Sequence, residues 1–380
     1  MRWQYADGLR IAQLANFVGP ASGGMKTAIE ALGSRYAEAG ADRLLVTPGA
    51  RDEVEHLRGG TLVRVRAPRV GGGYRLIVEP WRVMEVLDRF APTSVEISDK
   101  STLLPVTGWA RRAGVGCVLF SHERLDAMVS MRTGWRSGIG AGVSVLNRVL
   151  TRRFDAIVVT SRFAAQEFPA AAAPLLCRIP LGVDLATFHP EHGRPAADGV
   201  LGLVHVGRLS REKSPHLAVA TAVALHRRGV PVRLDVFGQG PHEHELHALA
   251  AGAPVTFHGH VGNRRALAAR LASADIALSV CPGETFGLAI LEALACGTPV
   301  VTADRGGGCE LIDPDCGERG APEPEALADA ALRLAERHPA GRRKAARRRA
   351  EGFRWADTAR AMLDLHAGVA GRVSPEVVSA

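Results

Sequence analysis

Short apolar runs rich in β-branched residues recur along this chain, with amphipathic helical stretches between them. The runs are Arg10–Asn16, Arg43–Thr47, Val95–Ser98, Gly116–Ser121 and Ala156–Thr160, then Leu201–Val206, Val232–Phe237, Val255–His258, Ile276–Val280 and Pro299–Thr302. They are nearly continuous rather than alternating, the pattern of strands buried on both faces of a parallel sheet. Strand–helix alternation of this kind predicts the α/β class with doubly wound sheets. A chain of 380 residues exceeds what one hydrophobic core usually serves, so two such domains are expected. The string Ile179-Pro180-Leu181-Gly182-Val183-Asp184 ends the first set of units. Pro190–Gly199, rich in Pro, Gly, His and charge, reads as a linker, and a fresh strand begins at Val200. The hinge is expected within Val183–Gly199, giving domains 1–183 and 184–355.

Composition narrows the class. Hydrophobic residues make up 47%, which argues for packed cores and against disorder. No run of 18 or more apolar residues predicts a membrane-spanning helix. Residues 1–10 lack an apolar signal core, so the expected location is cytoplasmic. The six cysteines, Cys117, Cys177, Cys281, Cys296, Cys309 and Cys316, form no C-x-x-C pair and read as buried thiols in a reducing compartment. The net charge of +8 suits a nucleic acid, an anionic membrane surface or an anionic substrate. Aromatics are 5% and no nucleic-acid motif is visible, which sets nucleic acid aside. The run Arg342–Arg349, with six basic residues in eight, is expected to be a solvated helix face.

The densest chemistry lies in Glu284-Thr285-Phe286-Gly287-Leu288 through Glu292 to Gly297-Thr298-Pro299. A strand precedes it, and a helix is predicted from near Thr285 until Gly297 and Pro299 stop it. That helix is apolar almost all round, so Glu292 is a carboxylate that needs hydrogen-bond partners. Ligand hydroxyls, backbone amides or an arginine would each serve. The amides of Thr285–Leu288 at the helix start can hold an anion. Val206-Gly207-Arg208-Leu209-Ser210-Arg211-Glu212-Lys213 also follows a strand. Arg208 and Lys213 there are either a clamp for a diphosphate or solvated surface cations.

Gly207-Arg208-Leu209…Glu212-Lys213, Gly238-x-Gly240-Pro241 and Glu284-x7-Glu292 resemble, in order and separation, the retaining glycosyltransferases of family 4, which have the GT-B fold. The resemblance covers nearly the whole chain. Gln13-Leu14-Ala15-Asn16-Phe17-x-Gly19-Pro20-x-Ser22-Gly23-Gly24, Ser121-His122-Glu123-Arg124-Leu125-Asp126 and Pro180-Leu181-Gly182-Val183-Asp184-x-x-x-Phe188-His189-Pro190 are similar to GDP-mannose-dependent mannosyltransferases that act on phosphatidylinositol mannosides. The resemblance implies two Rossmann-like domains facing across a cleft. It also implies that a C-terminal helix, about 356–380, crosses back onto the first domain. Arg208 and Lys213 would bind the donor diphosphate. Glu292 would take the ribose hydroxyls, and Glu284 the sugar hydroxyls. The amides of Phe286, Gly287 and Leu288 would meet sugar and phosphate. Gly238 and Gly240, with Phe257–Val261, would lie beside the base. Gly23 and Gly24 would approach the diphosphate from the first domain, and His122 would reach the sugar. Ser214-Pro215 after Lys213 departs from the glycine common in the family, which affects the loop path.

Fixed cations and amides aimed at the leaving phosphate make a metal site unnecessary, so neither metal nor cofactor is expected. The acid pair Asp313-Pro314-Asp315 reads as a turn. No carboxylate of the first half stands out as a nucleophile, which favours front-face transfer with the leaving phosphate as base. Two arginine-rich stretches without acid, His56–Val78 and Ala127–Phe154 (the second containing Trp135), suit an anionic lipid acceptor or a membrane surface, or are solvated loops. Three rivals stand beside this reading. A dehydrogenase would want G-x-G-x-x-G after its first strand, which Gly19–Gly24 does not supply. A non-catalytic nucleotide-sugar binder is told apart only by the presence of Arg208, Lys213, Glu284 and Glu292 all together. A transferase using another nucleotide sugar on a soluble acceptor shares all of these motifs.

Overall fold

The computed structural model of the protein describes residues 8–16, 23–70, 74–122, 124, 139–168, 176–196, 198–250 and 252–372. Gly19 to Ser22, Glu123, Leu125, Asp126, Arg132, Trp135, Arg136 and 373–380 lie outside them.

The first unit contains strands β1 (Arg10–Leu14), β2 (Asp42–Gly49), β3 (Glu53–Leu57), β4 (Gly60–Arg66), β5 (Arg69–Val70), β6 (Tyr74–Arg75), β7 (Ser94–Ile97), β8 (Gly116–Ser121), β9 (Ala156–Val159) and β10 (Leu176–Arg178). Its helices are α1 (Gly24–Glu38), α2 (Pro80–Phe90), α3 (Pro105–Ala113), α4 (Ile139–Arg153) and α5 (Arg162–Ala165). The second unit has β11 (Leu201–Val206), β12 (Val232–Phe237), β13 (Val255–Gly259), β14 (Ile276–Ser279), β15 (Val300–Ala303) and β16 (Gly317–Gly320). Its helices are α6 (Pro215–Arg227), α7 (Glu243–Leu249), α8 (Arg264–Ala272), α9 (Leu288–Ala295), α10 (Pro324–Ala335) and α11 (Pro339–Glu351), followed by α12 (Trp355–Arg372).

The first sheet has the order β10-β9-β8-β7-β1-β2-β4-β3 and is parallel except for its edge strand β3. The second, β13-β12-β11-β14-β15-β16, is parallel throughout. In both, the strand order steps outward in one direction and then reverses, between β1 and β7 and between β11 and β14. All ten apolar runs are strands. Of the strands outside that pattern, β5, β6 and β10 are two or three residues long, β3 and β16 are polar edge strands, and β4 interrupts its buried Leu62, Val63 and Val65 with arginines. β16 reads Gly-Glu-Arg-Gly, and most of β3 is exposed. On the β3–β4 hairpin Arg64 pairs with Glu53 and Glu55, so part of the first arginine-rich stretch is neutralised within the fold.

Each sheet buries its own apolar cluster, and a third cluster runs continuously through both units. The segment Ile179–Phe188 and the last helix carry it. Val183 donates its N–H to the Phe353 carbonyl, and Thr358 donates its hydroxyl to the Pro180 carbonyl. A Cβ at Gly182 would lie 2.2 Å from Trp355 N, so the two chain crossings touch backbone to backbone. Beyond this crossing α12 packs on α1, β7 and β8 of the first unit.

The basic run on α11 departs from expectation. Arg342 is 6% exposed and donates to the carbonyls of Leu334 and Ala335. Arg343 donates to those of Ala272, Ala274 and Cys296, and Arg347 to those of Leu185, Phe188 and Ala295. Arg349 holds the carbonyls of Glu310 and Leu311. Three of these arginines therefore cap the C-terminal ends of α8, α9 and α10, where unpaired carbonyls and the negative dipole end favour a cation. Four of the six basic residues form a structural clamp, while Lys344 and Arg348 keep the solvated face that was expected.

Candidate active site

Ligands of doubly wound sheets bind outside the carboxyl ends of the strands, where the strand order reverses. In the first unit that place lies beyond β1 and β7. Asn16, 2% exposed, braces it. Its amide donates to Asp99 (3.1 Å) and Thr102 (2.9 Å), and its carbonyl accepts the Ile77 N–H (2.9 Å). His122 stands just past β8, with Nε2 3.1 Å from Ser98 Oγ and its ring 4.2 Å from that of Phe120. Burial pushes its pKa down to about 4, so the imidazole is neutral near pH 7.

Gly23 caps α1 and Gly24 begins it. A Cβ on Gly24 would lie 3.4 Å from Leu288 Cδ1. The start of α1 thus meets the start of α9 across the cleft. Amides in the first turn of a helix have no intrahelical partner, and the dipole is positive there. An anion between the two starts would be held from both units.

In the second unit the corresponding loops follow β11 and β14. Lys213 Nζ donates to both carboxylate oxygens of Glu284, each at 2.9 Å. Arg208 reaches across to the first unit, donating to Tyr74 Oη at 2.9 Å with its guanidinium 5.3 Å from the ring centre. Gly238 and Gly240 shape this loop. A Cβ at Gly238 would sit 1.8 Å from the Gly207 carbonyl oxygen, and one at Gly240 2.2 Å from that of Leu209. Gly207 and Leu209 donate their N–H groups to the carbonyls of Phe237 and Gln239, so two loops lie flat on each other and aim Arg208.

The helix start differs from expectation. α9 begins at Leu288, not near Thr285. Gly287, at φ +100°, turns the chain in the left-handed region that glycine accepts readily. Phe286 is buried ahead of it, 5% exposed. Glu292 lies in the second turn with its side chain 13% exposed, and Arg264 Nη2 donates to it at 3.2 Å. Burial raises its pKa to about 7; Arg264 opposes the rise and Asp184 adds to it. Of the candidate partners for Glu292, an arginine is the one the fold supplies.

The structure thus brings Gly24 to Leu288, Lys213 to Glu284, and Arg208 to Gly238 and Gly240. It also adds residues the sequence reading missed. Tyr74 and Arg264 partner the expected charges. Gly306, Gly307 and Gly308 pack against the Glu284 loop, with the Gly307 N–H on the Glu284 carbonyl at 2.6 Å. Three successive glycines after β15 were a readable signal of close backbone approach. Among the described residues no three of His, Cys, Asp and Glu converge as ligands of an ion would. Asp313 accepts the N–H groups of Asp315 and Cys316, as a turn does.

Two sheets of this winding, with loops from both reversal points meeting in one cleft, define the GT-B class of two-domain fold. Comparison with known proteins agrees. The family model described as "Glycosyl transferase 4-like domain" matches residues 23–182, and "Glycosyl transferases group 1" matches 201–337. The GDP-mannose-dependent alpha-(1-6)-phosphatidylinositol dimannoside mannosyltransferase of Mycobacterium tuberculosis is 40% identical over 365 residues, 93% of this chain and 95% of that one. Sucrose-phosphate synthase from Thermosynechococcus elongatus superposes with a TM-score of 0.77 at 21% identity, covering 96% of this chain and 100% of the other. Anabaena HepE, solved with UDP-glucose, gives a TM-score of 0.72 at 17% identity over 94% and 99%. The chain belongs to the family-4 glycosyltransferases of GT-B fold, and it is a glycosyltransferase.

Proposed function

We propose that this glycosyltransferase moves a mannosyl group from GDP-mannose to a glycolipid acceptor such as a phosphatidylinositol mannoside, with retention and without a metal ion. The observation that carries the chemistry is the meeting of the α1 and α9 starts beside Lys213 and Arg208. Two positive helix ends and two cations suit a diphosphate leaving group. The choice of donor and acceptor is supported by the mycobacterial relative.

In the proposed step the bond between C1 of the sugar and the phosphate oxygen breaks, and its electron pair stays on that oxygen. Arg208, Lys213 and the amides at the α9 start stabilise the charge that builds there. The acceptor hydroxyl attacks C1 from the same face and gives its proton to the departing phosphate. Glu284 takes sugar hydroxyls, Glu292 the ribose, and neutral His122 contacts the sugar from the first unit. On the first unit Val54, Leu57, Val78 and Trp81 are exposed, as are Val145 and Val149 one turn apart on α4. Arg148 and Arg152 share α4 with them. An apolar and basic surface of this kind supports peripheral contact with an anionic membrane. Among the described residues no helix is long and apolar enough to cross one.

The test is a donor panel of GDP-mannose, UDP-glucose, UDP-N-acetylglucosamine and ADP-glucose with a phosphatidylinositol mannoside acceptor, scored by nucleotide release and by the anomeric configuration of the product. GDP release with an α-linked product is expected. Turnover of another donor in place of GDP-mannose, or a β-linked product, overturns the reading.

A further inference from the structure

The loop that carries Glu284 is tied to the opposite unit by groups that the chemistry above does not use. Ser161, 2% exposed and just past β9, donates its hydroxyl to the Thr285 carbonyl at 2.6 Å. Ser161 Oγ in turn accepts the Ala164 N–H at 3.0 Å. Glu310, from the loop after β15, crosses the other way. Its two carboxylate oxygens accept the N–H groups of Arg162 (3.0 Å) and Phe163 (2.8 Å) in the first unit. The backbone of Glu310 is itself held by Arg349, which donates to its carbonyl at 3.0 Å. Gly307 is wedged between the two ties. A Cβ there would lie 2.0 Å from the Thr285 carbonyl oxygen and 2.8 Å from Ser161 Oγ.

We infer that Ser161 and Glu310 are positioning residues for glycosyl transfer. They lock the Glu284–Gly287 loop in register with the first unit. Neither is among the residues assigned to the donor. Of the groups assigned above to the nucleotide, Arg208, Lys213, Glu292 and the α9 amides belong to the second unit, and the first unit adds the α1 start alone. Nucleotide binding therefore depends on the lock far less than transfer does. Transfer needs it because the donor sugar at Glu284 must face an acceptor and His122 presented by the first unit. The Thr285 carbonyl fixes the peptide plane leading to Phe286, and the Gly307 N–H on the Glu284 carbonyl fixes the plane before it; together they set the direction of the Glu284 side chain and of the amides that follow. The inference rests on the assignment of Glu284 and Lys213 to the donor.

The experiment compares Ser161→Ala, Ser161→Thr and Glu310→Gln with the wild type in steady-state turnover, and measures nucleoside diphosphate affinity by calorimetry. Wild type is first assayed with GDP-mannose. If it rejects GDP-mannose, the donor proposal fails by itself, and the variants are assayed with the donor from the panel that wild type does use and with its diphosphate. Ser161→Ala and Glu310→Gln are expected to lose about 10- to 100-fold in kcat, the scale of a small misplacement of reacting groups. Diphosphate affinity should stay within about twofold of wild type. Ser161→Thr keeps the hydroxyl and should recover most of the rate. Wild-type kcat in the folded variants, or an affinity loss matching the rate loss, overturns the inference. Should Ser161→Ala fail to fold, Glu310→Gln, which keeps side-chain volume but can accept only at one oxygen, decides.

Discussion

Glu292→Gln separates a ligand-binding carboxylate from a structural one, because the two roles predict opposite pH behaviour. The carboxyl is mostly buried in α9 and has one hydrogen-bonded partner, the half-exposed Arg264. Burial moves its pKa from the ordinary 4.5 to about 7, a difference equivalent to roughly 3 kcal/mol against the ionised form in the folded protein. Below pH 4.5 both folded and unfolded carboxyls are protonated and nothing is lost. As pH rises toward 7 the unfolded chain ionises first, so folded stability declines, and the decline is complete above the folded pKa. Glu292→Gln removes this cost. It should match wild type in Tm at about pH 4.5 and exceed it at about pH 8. Donor binding should run the other way. An ionised carboxylate holding ribose hydroxyls contributes about 1.5–3 kcal/mol, so the variant should lose about 10- to 150-fold in GDP-mannose affinity at about pH 8. Wild-type affinity should fall as pH drops through 7, while the variant stays flat. GDP-mannose is the right probe because its diphosphate diester does not titrate in this range. Calorimetric titration with thermal denaturation checks both limbs. Unchanged affinity in the variant, or a lower Tm than wild type at about pH 8, would refute the reasoning.

Three further outcomes are expected. Turnover should survive EDTA, because the proposed mechanism draws the positive charge at the leaving group from Arg208, Lys213 and helix-start amides; loss on chelation that magnesium or manganese restores would contradict this. His122→Ala should lower kcat while leaving GDP affinity nearly intact, and with a pKa of about 4 the wild-type residue should put no limb on the kcat profile between about pH 5 and 8. Arg347→Ala strips the carbonyls of Leu185, Phe188 and Ala295 of their shared donor and should cost about 2–4 kcal/mol in urea denaturation; a change within about 0.5 kcal/mol would return α11 to the role of a solvated face.

The doubly wound architecture was legible because a strand buried on both faces leaves an uninterrupted apolar run, and ten such runs stand in the sequence. β3, β4 and β16 left no such trace. β3 is an edge strand and buries little, β4 breaks its apolar residues with Arg64 and Arg66, and Gly317-Glu318-Arg319-Gly320 pairs through its backbone. At the site, the glycines were legible as glycines, but what they avoid was not. That Gly238 must clear the Gly207 carbonyl depends on two loops 31 positions apart in sequence lying face to face. Tyr74, Ser161 and Glu310 were invisible for the same reason: each acts on the opposite unit, and no local spacing encodes contact across a cleft. The run Arg342–Arg349 was misread because charge density alone does not say whether a guanidinium faces water or a carbonyl. A helix laid across three helix C-termini makes arginine the residue that can satisfy several acceptors at once. The net charge of +8 is therefore in part internal, and a weaker pointer to an anionic partner than composition suggested.

The charges assigned to the donor do not stand bare in this fold. Lys213 lies on Glu284, Arg208 on Tyr74 and Glu292 against Arg264. Bare cations gathered at two positive helix ends would repel each other and the dipoles. Partners supplied by the protein relieve that strain. On the proposed assignment, donor binding is then an exchange of partners. A phosphate that draws Lys213 toward itself releases the Glu284 carboxylate, and that is the group meant for the sugar. One displacement prepares both contacts, so the diphosphate and the sugar are recognised together rather than independently. The exchange makes net affinity smaller than a list of donor contacts would suggest, because each new contact replaces an old one. At Arg208 the exchange also crosses the cleft, since Tyr74 belongs to the first unit. A donor that takes Arg208 from Tyr74 removes one tie between the units and substitutes its own bulk, while Ser161 and Glu310 keep theirs. Donor binding in this way loosens the tie at Arg208 and leaves those at Ser161 and Glu310 standing, so the register of the two units outlasts the exchange of the nucleotide.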